Sequence, residues 1–150
     1  MRRTMVVLAV CLLAACSSAG STGPAPGVAG HWRLSFSGVG AVAGGDVIEC
    51  QINGMSFDLT QADTAFSGTY AVGGIDCSWT GGGSASGSGT GAVIDGLFMS
   101  NSVAFDLDAP DCHFSGTYAS GQMHGMMSCP FDLGPPHNIV TIGGNWAATR

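Results

Sequence analysis

Few residues of this chain are of a type that does chemistry, and their spacing scatters them. His113 and His124 share one face of a predicted hairpin and invite a metal site. Pairing about a turn at Ser120-Gly121 offsets them by about four residues, roughly 13 Å along the strands, too wide for one ion. Asp106, Asp108 and Asp111 could gather oxygens for Ca²⁺, but their spacing fits no EF-hand loop, and solvated turn carboxylates are the simpler reading. The single glutamate, Glu49, leaves no pair of glutamates for acid–base work. No G-x-S-x-G elbow and no Cys–His arrangement occurs. The expectation is a protein that is no enzyme, with no catalytic residue, no metal and no cofactor.

Composition narrows the partners. There is no Lys, and beyond residue 15 only Arg33 and Arg150 carry fixed positive charge against ten acids. Such a surface repels nucleic acid and anionic headgroups, which excludes both. Charged residues make up 9%, so solubility falls to Ser, Thr, Asn and Asp, while regular apolar alternation argues against disorder.

The N-terminus is an address. Arg2-Arg3 precedes an apolar run from Met5 to Ala15, too short for a membrane-spanning helix, and reads as a signal peptide over residues 1–15. Its end, Leu13-Ala14-Ala15-Cys16, resembles the lipobox of bacterial lipoproteins. That resemblance implies lipidation at Cys16, which becomes the first mature residue and holds the chain to a membrane through its acyl chains, at about 0.8 kcal/mol per buried CH₂. Ser17 and Ser18, with no Asp beside the cysteine, imply by the same resemblance the outer membrane of a bacterial cell envelope, facing the periplasm. Residues 16–28, rich in Gly, Ser and Pro, read as a flexible tether, and 29–150 as one domain.

The domain is organised around FSGTY, at Phe66–Tyr70 and again at Phe114–Tyr118. FDL (Phe57–Leu59) returns as Phe105–Leu107 and Asp63 as Asp111, so nine of fourteen positions agree and one hairpin unit is used twice. Strands are predicted over 31–36, 47–52, 55–60, 66–72, 75–80, 92–99, 102–108 and 139–149, around loops at 37–45 and 130–138. Asn53-Gly54 marks either a hairpin or a bend in one long strand, and 81–91 either a loop or short strand ends. Mid-strand Gly68 and Gly116 suggest coiling points.

The second hairpin is the most legible. With Ser120-Gly121 as a two-residue turn, Tyr118 opposes Met123, Gly116 opposes Gly125, Phe114 opposes Met127 and Cys112 opposes Cys129, all on an apolar face. Disulfide Cys112–Cys129 follows, and Cys50–Cys77 by elimination, since Cys11 lies in the signal peptide and Cys16 is lipidated. The fold expected is all-β, an antiparallel up-and-down barrel of about eight strands.

Gly30-His31-Trp32, the SGTY hairpin and a terminal strand with Trp146 resemble the calycin-type small barrels, lipocalin-like and avidin-like, within a class of Gly/Ser-rich bacterial lipoproteins. Val72 stands where avidins place a biotin-binding Ser, so biotin is not implied. Trp32, Phe57, Phe66, Tyr70, Phe105, Phe114, Tyr118, Met123, Met127 and Trp146 either fill the lumen or line a site for a small apolar ligand. Two functions are expected. The first is binding such a ligand in the lumen or at its open end. The alternative is a protein-binding envelope module, structural or a hydrolase inhibitor, with an unidentified protein partner.

Overall fold

The computed structural model describes residues 27–135 and 137–150. The signal-peptide reading, Cys16 and the tether up to residue 26 lie outside the described residues. The rest is all-β: β1 (Gly30–Ala43), β2 (Asp46–Asn53), β3 (Ser56–Ala62), β4 (Ala65–Trp79), β5 (Ser84–Met99), β6 (Ser102–Leu107), β7 (His113–Ala119), β8 (Gln122–Asp132) and β9 (Ile139–Thr149). Every pairing is antiparallel, each strand but β2 and β3 pairs with its sequence neighbours, and β9 closes back on β1. The sheet is an up-and-down barrel of nine strands in a ring of eight.

The ring has eight positions because β2 and β3 share one. Both pair with β1, at Gly40–Ala43 and Gly30–Arg33, and both pair with β4. They run the same way end to end, so Asn53-Gly54 is a bend in one long strand, with Gly54 at φ 65°. Sharp turns carry the φ > 0 pairs that type I′ hairpins require: Gly44-Gly45, Ser100-Asn101 and Ser120-Gly121.

Two stretches read as loops are wholly or partly strand, and a third, left open between loop and strand ends, is strand. β1 continues to Ala43 across a bulge between Ser37 and Gly40, where the apolar alternation breaks. β8 runs on to Asp132, taking Pro130 and Phe131 into the wall. Residues 84–91 are the first half of β5, with Ala85, Gly87, Gly89 and Gly91 facing inward and Ser84, Ser86, Ser88 and Thr90 outward. Strand alternation is present there without hydrophobic contrast.

The glycines of both FSGTY copies sit where backbones nearly touch. A Cβ on Gly68 would stand 2.0 Å from Asp58 O, and one on Gly116 2.2 Å from His124 O. The two copies are not superposable hairpins, however. In the first, Phe57 opposes Tyr70 about a tight Asp63-Thr64 turn. In the second, Phe105 opposes Phe114, a slip of four residues. Pro110 holds the place of Ala62 and lacks the N–H that a ladder uses, so the chain leaves the sheet over 108–112. β6 and β7 consequently stop short of their neighbours.

At the end where the described chain begins, Trp32 forms a plug. Its indole Nε1 donates to Val28 O at 2.7 Å, and Val28 N donates to Gln61 Oε1 at 2.7 Å. The Arg150 guanidinium covers the Trp32 ring at 4.4 Å and donates to Gly27 O. Val28, last residue of the stretch read as tether, is fully buried.

Candidate functional site

The ten aromatic and methionine residues singled out in the sequence all point into the barrel, and most of them fill it. Phe105 stacks on Phe114 with centroids 4.8 Å apart, and Phe57, Phe66 and Trp146 meet it edge-on at 5.2, 5.7 and 5.8 Å. Trp146 Nε1 donates to Met126 O at 3.0 Å, which satisfies the one polar atom this cluster buries. Trp32, Met123 and the half-buried Tyr118 close the near end, where Tyr118 meets Phe98 and Trp32 edge-on.

Space remains at the far end. A cavity of about 70 Å³, with no polar surface in its lining, lies among Met55, Tyr70, Leu107, Phe114, Met127 and Phe131. Of the predicted ligand residues only Tyr70, Phe114 and Met127 line it. Pockets for whole small molecules run to about 300–1,000 Å³. This recess suits a few carbons.

The barrel wall beside the recess is incomplete. β6 reaches β5 only from Val93 onward, and β7 leaves β8 at Ser128. Beyond those points β5 over 84–91 and β8 over 129–132 border a seam with no strand of the described residues between them. The Phe131 ring spans it, 3.6 Å from where a Cβ on Gly87 would be. A Cβ on Gly89 would meet nothing within 4 Å, so open space lies in front of that residue.

The 108–112 loop borders the seam and is tied down. Asp108 Oδ1 accepts from Ala92 N at 2.8 Å, and Asp108 N donates to Ala92 O at 3.1 Å. Tyr70 Oη donates to Ala109 O. Burial, and then the nearby Asp108 carboxylate, push the Tyr70 phenol above its ordinary value. The phenol is therefore a neutral strap and no base at neutral pH.

The disulfides are Cys50–Cys77, between β2 and β4, and Cys112–Cys129, joining the loop to β8. The second fixes the lower corner of the seam.

The histidines stand apart. His113 Nδ1 lies 2.6 Å from Asp106 Oδ1 and His124 Nε2 3.1 Å from Thr117 Oγ1, on the outer wall. Among the described residues no three His, Cys, Asp or Glu side chains gather as a metal site would need.

Sequence reasoning missed His137. It sits in the β8–β9 loop, its side chain 5% exposed, edge-on to Trp79 at 5.1 Å and with Nε2 3.0 Å from Asp46 Oδ2. That approach is an ion-pair distance without hydrogen-bond alignment, since Nε2 has no hydrogen-bond partner among the described residues. Thr80 Oγ1 donates to the other oxygen of Asp46, at 3.0 Å, so no hydroxyl is set against the imidazole as a nucleophile would be. The group staples three turns together.

Phe131 and Pro130 were also missed, because the PFD run before Pro135-Pro136 reads as a loop. The available signal was the Gly/Ser alternation of 84–91, whose inward glycines leave room for an opposing ring. No family model matches the sequence, and no match was found among curated proteins or solved structures.

Proposed function

We propose that this protein is a lipid-anchored module of the bacterial envelope, held at the outer membrane through Cys16, that binds a protein partner and catalyses nothing. The observation that carries the reading is the packed lumen: Phe57, Phe105, Phe114 and Trp146 occupy the volume a lipocalin-like carrier would leave for cargo. Beside that packing, the recess offers a place for one small side chain. A second reading, capture of a small apolar ligand, is favoured by the wholly apolar lining, and the volume restricts it to a few aliphatic carbons.

Native mass spectrometry of the chain purified from its own envelope in mild detergent separates the two. A polypeptide with diacyl or triacyl Cys16 and the hydrogens of two disulfides missing, but no further mass, agrees with the module. A stoichiometric small molecule that leaves on denaturation overturns it in favour of the carrier. Cys16→Ala tests the anchor: the variant partitions into the soluble fraction, and retention in the membrane refutes lipidation there.

A further inference from the structure

We infer that the free edge of β5, Ser84 to Gly91, takes up an extended, Lys/Arg-bearing segment of a partner protein as an added strand. The inference rests on the protein-binding reading and names the surface and the kind of partner.

The edge is chemically open. In an antiparallel strand each residue points both its N–H and its C=O to one side, and successive residues alternate. Ala92 directs both groups away from β4, to Asp108. By the same alternation Ser86, Ser88 and Thr90 direct theirs to the seam. None of these groups has a hydrogen-bond partner among the described residues. An unpaired row of this kind templates another strand, and folded proteins block it with charge, proline or brevity. β5 has none of these devices over 84–91, whereas across the seam β8 carries Pro130, which has no N–H to offer, and then Asp132. The two walls differ, and only one invites pairing.

Strand addition would also use the recess. Side chains of an added strand alternate outward and inward, and inward positions beside Gly87 approach Ile75 and Phe131, which line the apolar cavity of about 70 Å³. Main-chain hydrogen bonds then supply affinity, and the recess selects a small aliphatic residue such as Val or Ala.

Charge selects the partner. Asp108 and Asp111 sit in the loop beside the seam, Asp132 lies across it and Asp76 stands on the neighbouring strand. The fixed cations Arg33 and Arg150 are at the opposite end of the barrel. A second copy of this chain pairing edge to edge would bring the same carboxylates together, which disfavours it. A cationic segment has complementary charge.

The test uses the full chain in mild detergent and two synthetic probes, an alternating Lys-Val octapeptide and its Glu-Val counterpart, with hydrogen–deuterium exchange read by mass spectrometry. The Lys-Val probe is expected to protect 84–92, with weaker affinity as salt rises, and the Glu-Val probe to protect nothing. Ser88→Pro deletes one seam-facing N–H and leaves the β4 ladder intact. Ser88→Lys, fully outward, adds a repelling charge and keeps the test valid if the proline variant folds poorly. Each is expected to weaken the Lys-Val probe about tenfold or more, equivalent to ~1.4 kcal/mol. Protection elsewhere, equal binding of both probes, unchanged binding by either variant or no binding at all overturns the edge assignment. So does a β5-mediated dimer without probe. These results leave the protein-binding reading standing, whereas a small-molecule mass in the native spectrum removes that reading whatever the edge does.

Discussion

Phe105→Ala is the sharpest test of a filled lumen. Phe105 is 1% exposed and touches Phe57, Phe66, Phe114 and Trp146, so truncation empties the centre of the aromatic cluster. Large-to-small changes at such sites cost about 3–5 kcal/mol, because the transfer loss adds to an unrelaxed cavity. Lost ring-to-ring contacts place this one toward the top of that range. Two disulfides and a closed ring of hydrogen bonds limit collapse, so the hole should persist. The matching midpoint shift is on the order of 10 °C or more for a domain of this length. Phe131→Ala is the internal control: that half-buried ring spans the seam and should cost about 1 kcal/mol from lost burial alone. Urea unfolding followed by tryptophan fluorescence with disulfides intact reads both. The Phe105→Ala barrel should also gain thermal stability from benzene, as dry engineered cavities do. A cost below about 1 kcal/mol for Phe105→Ala would refute the packed lumen and return the carrier reading to first place.

The two glycine classes should diverge. Gly116→Ala drives a Cβ into His124 O and is expected to cost about 1–3 kcal/mol or more, while Gly89→Ala meets open space and should be neutral or slightly stabilising. Urea midpoints of the two variants decide it. Tyr70→Phe removes the strap to Ala109, and should cost about 0.5–1.5 kcal/mol and speed amide exchange over 108–112. Because the folded phenol titrates above its unfolded value of 10.0, its contribution holds below that pH and fades as pH rises through the folded value. The wild-type melting temperature should therefore drop in strongly alkaline buffer, and less so in Tyr70→Phe. Replacing Cys112 and Cys129 by Ser frees a loop of separation 17, worth about 3 kcal/mol in the chain-entropy model, and should increase proteolysis near the seam.

The sequence was most legible where register, turn and cysteines constrained one another. The β7–β8 hairpin, from Ser120-Gly121 to the Cys112–Cys129 bridge, has the register that alternation requires. Legibility failed where side chains carry no contrast. Residues 84–91 alternate Gly and Ala with Ser and Thr, a strand pattern whose two faces differ in polarity too little to announce it. In β1 the alternation is readable only to Phe36, because the bulge after Ser37 shifts the apolar phase. The repeat was visible, but the four-residue slip at Pro110 was not, since identity of residues does not fix which of them pair. The recess depends on that slip and on a ring in a proline-flanked segment, so most of its lining lay beyond one-dimensional reading. His137 is fixed by three turns that meet only in space.

The contact between Arg150 and Gly27 has a consequence for how the barrel could be rewired. The ring closes by pairing first strand with last, and the first described residue, Gly27, meets Arg150 at the Trp32 plug. Nothing in the hydrogen-bonded circle distinguishes a beginning. A short linker from Arg150 to Gly27, with new ends cut at the exposed Ser100-Asn101 turn, would preserve every ladder and both disulfides. Such a circular permutant would carry any membrane tether on the opposite flank, where the β5–β6 hairpin now turns. Attachment point and seam could then be moved independently around one unchanged scaffold.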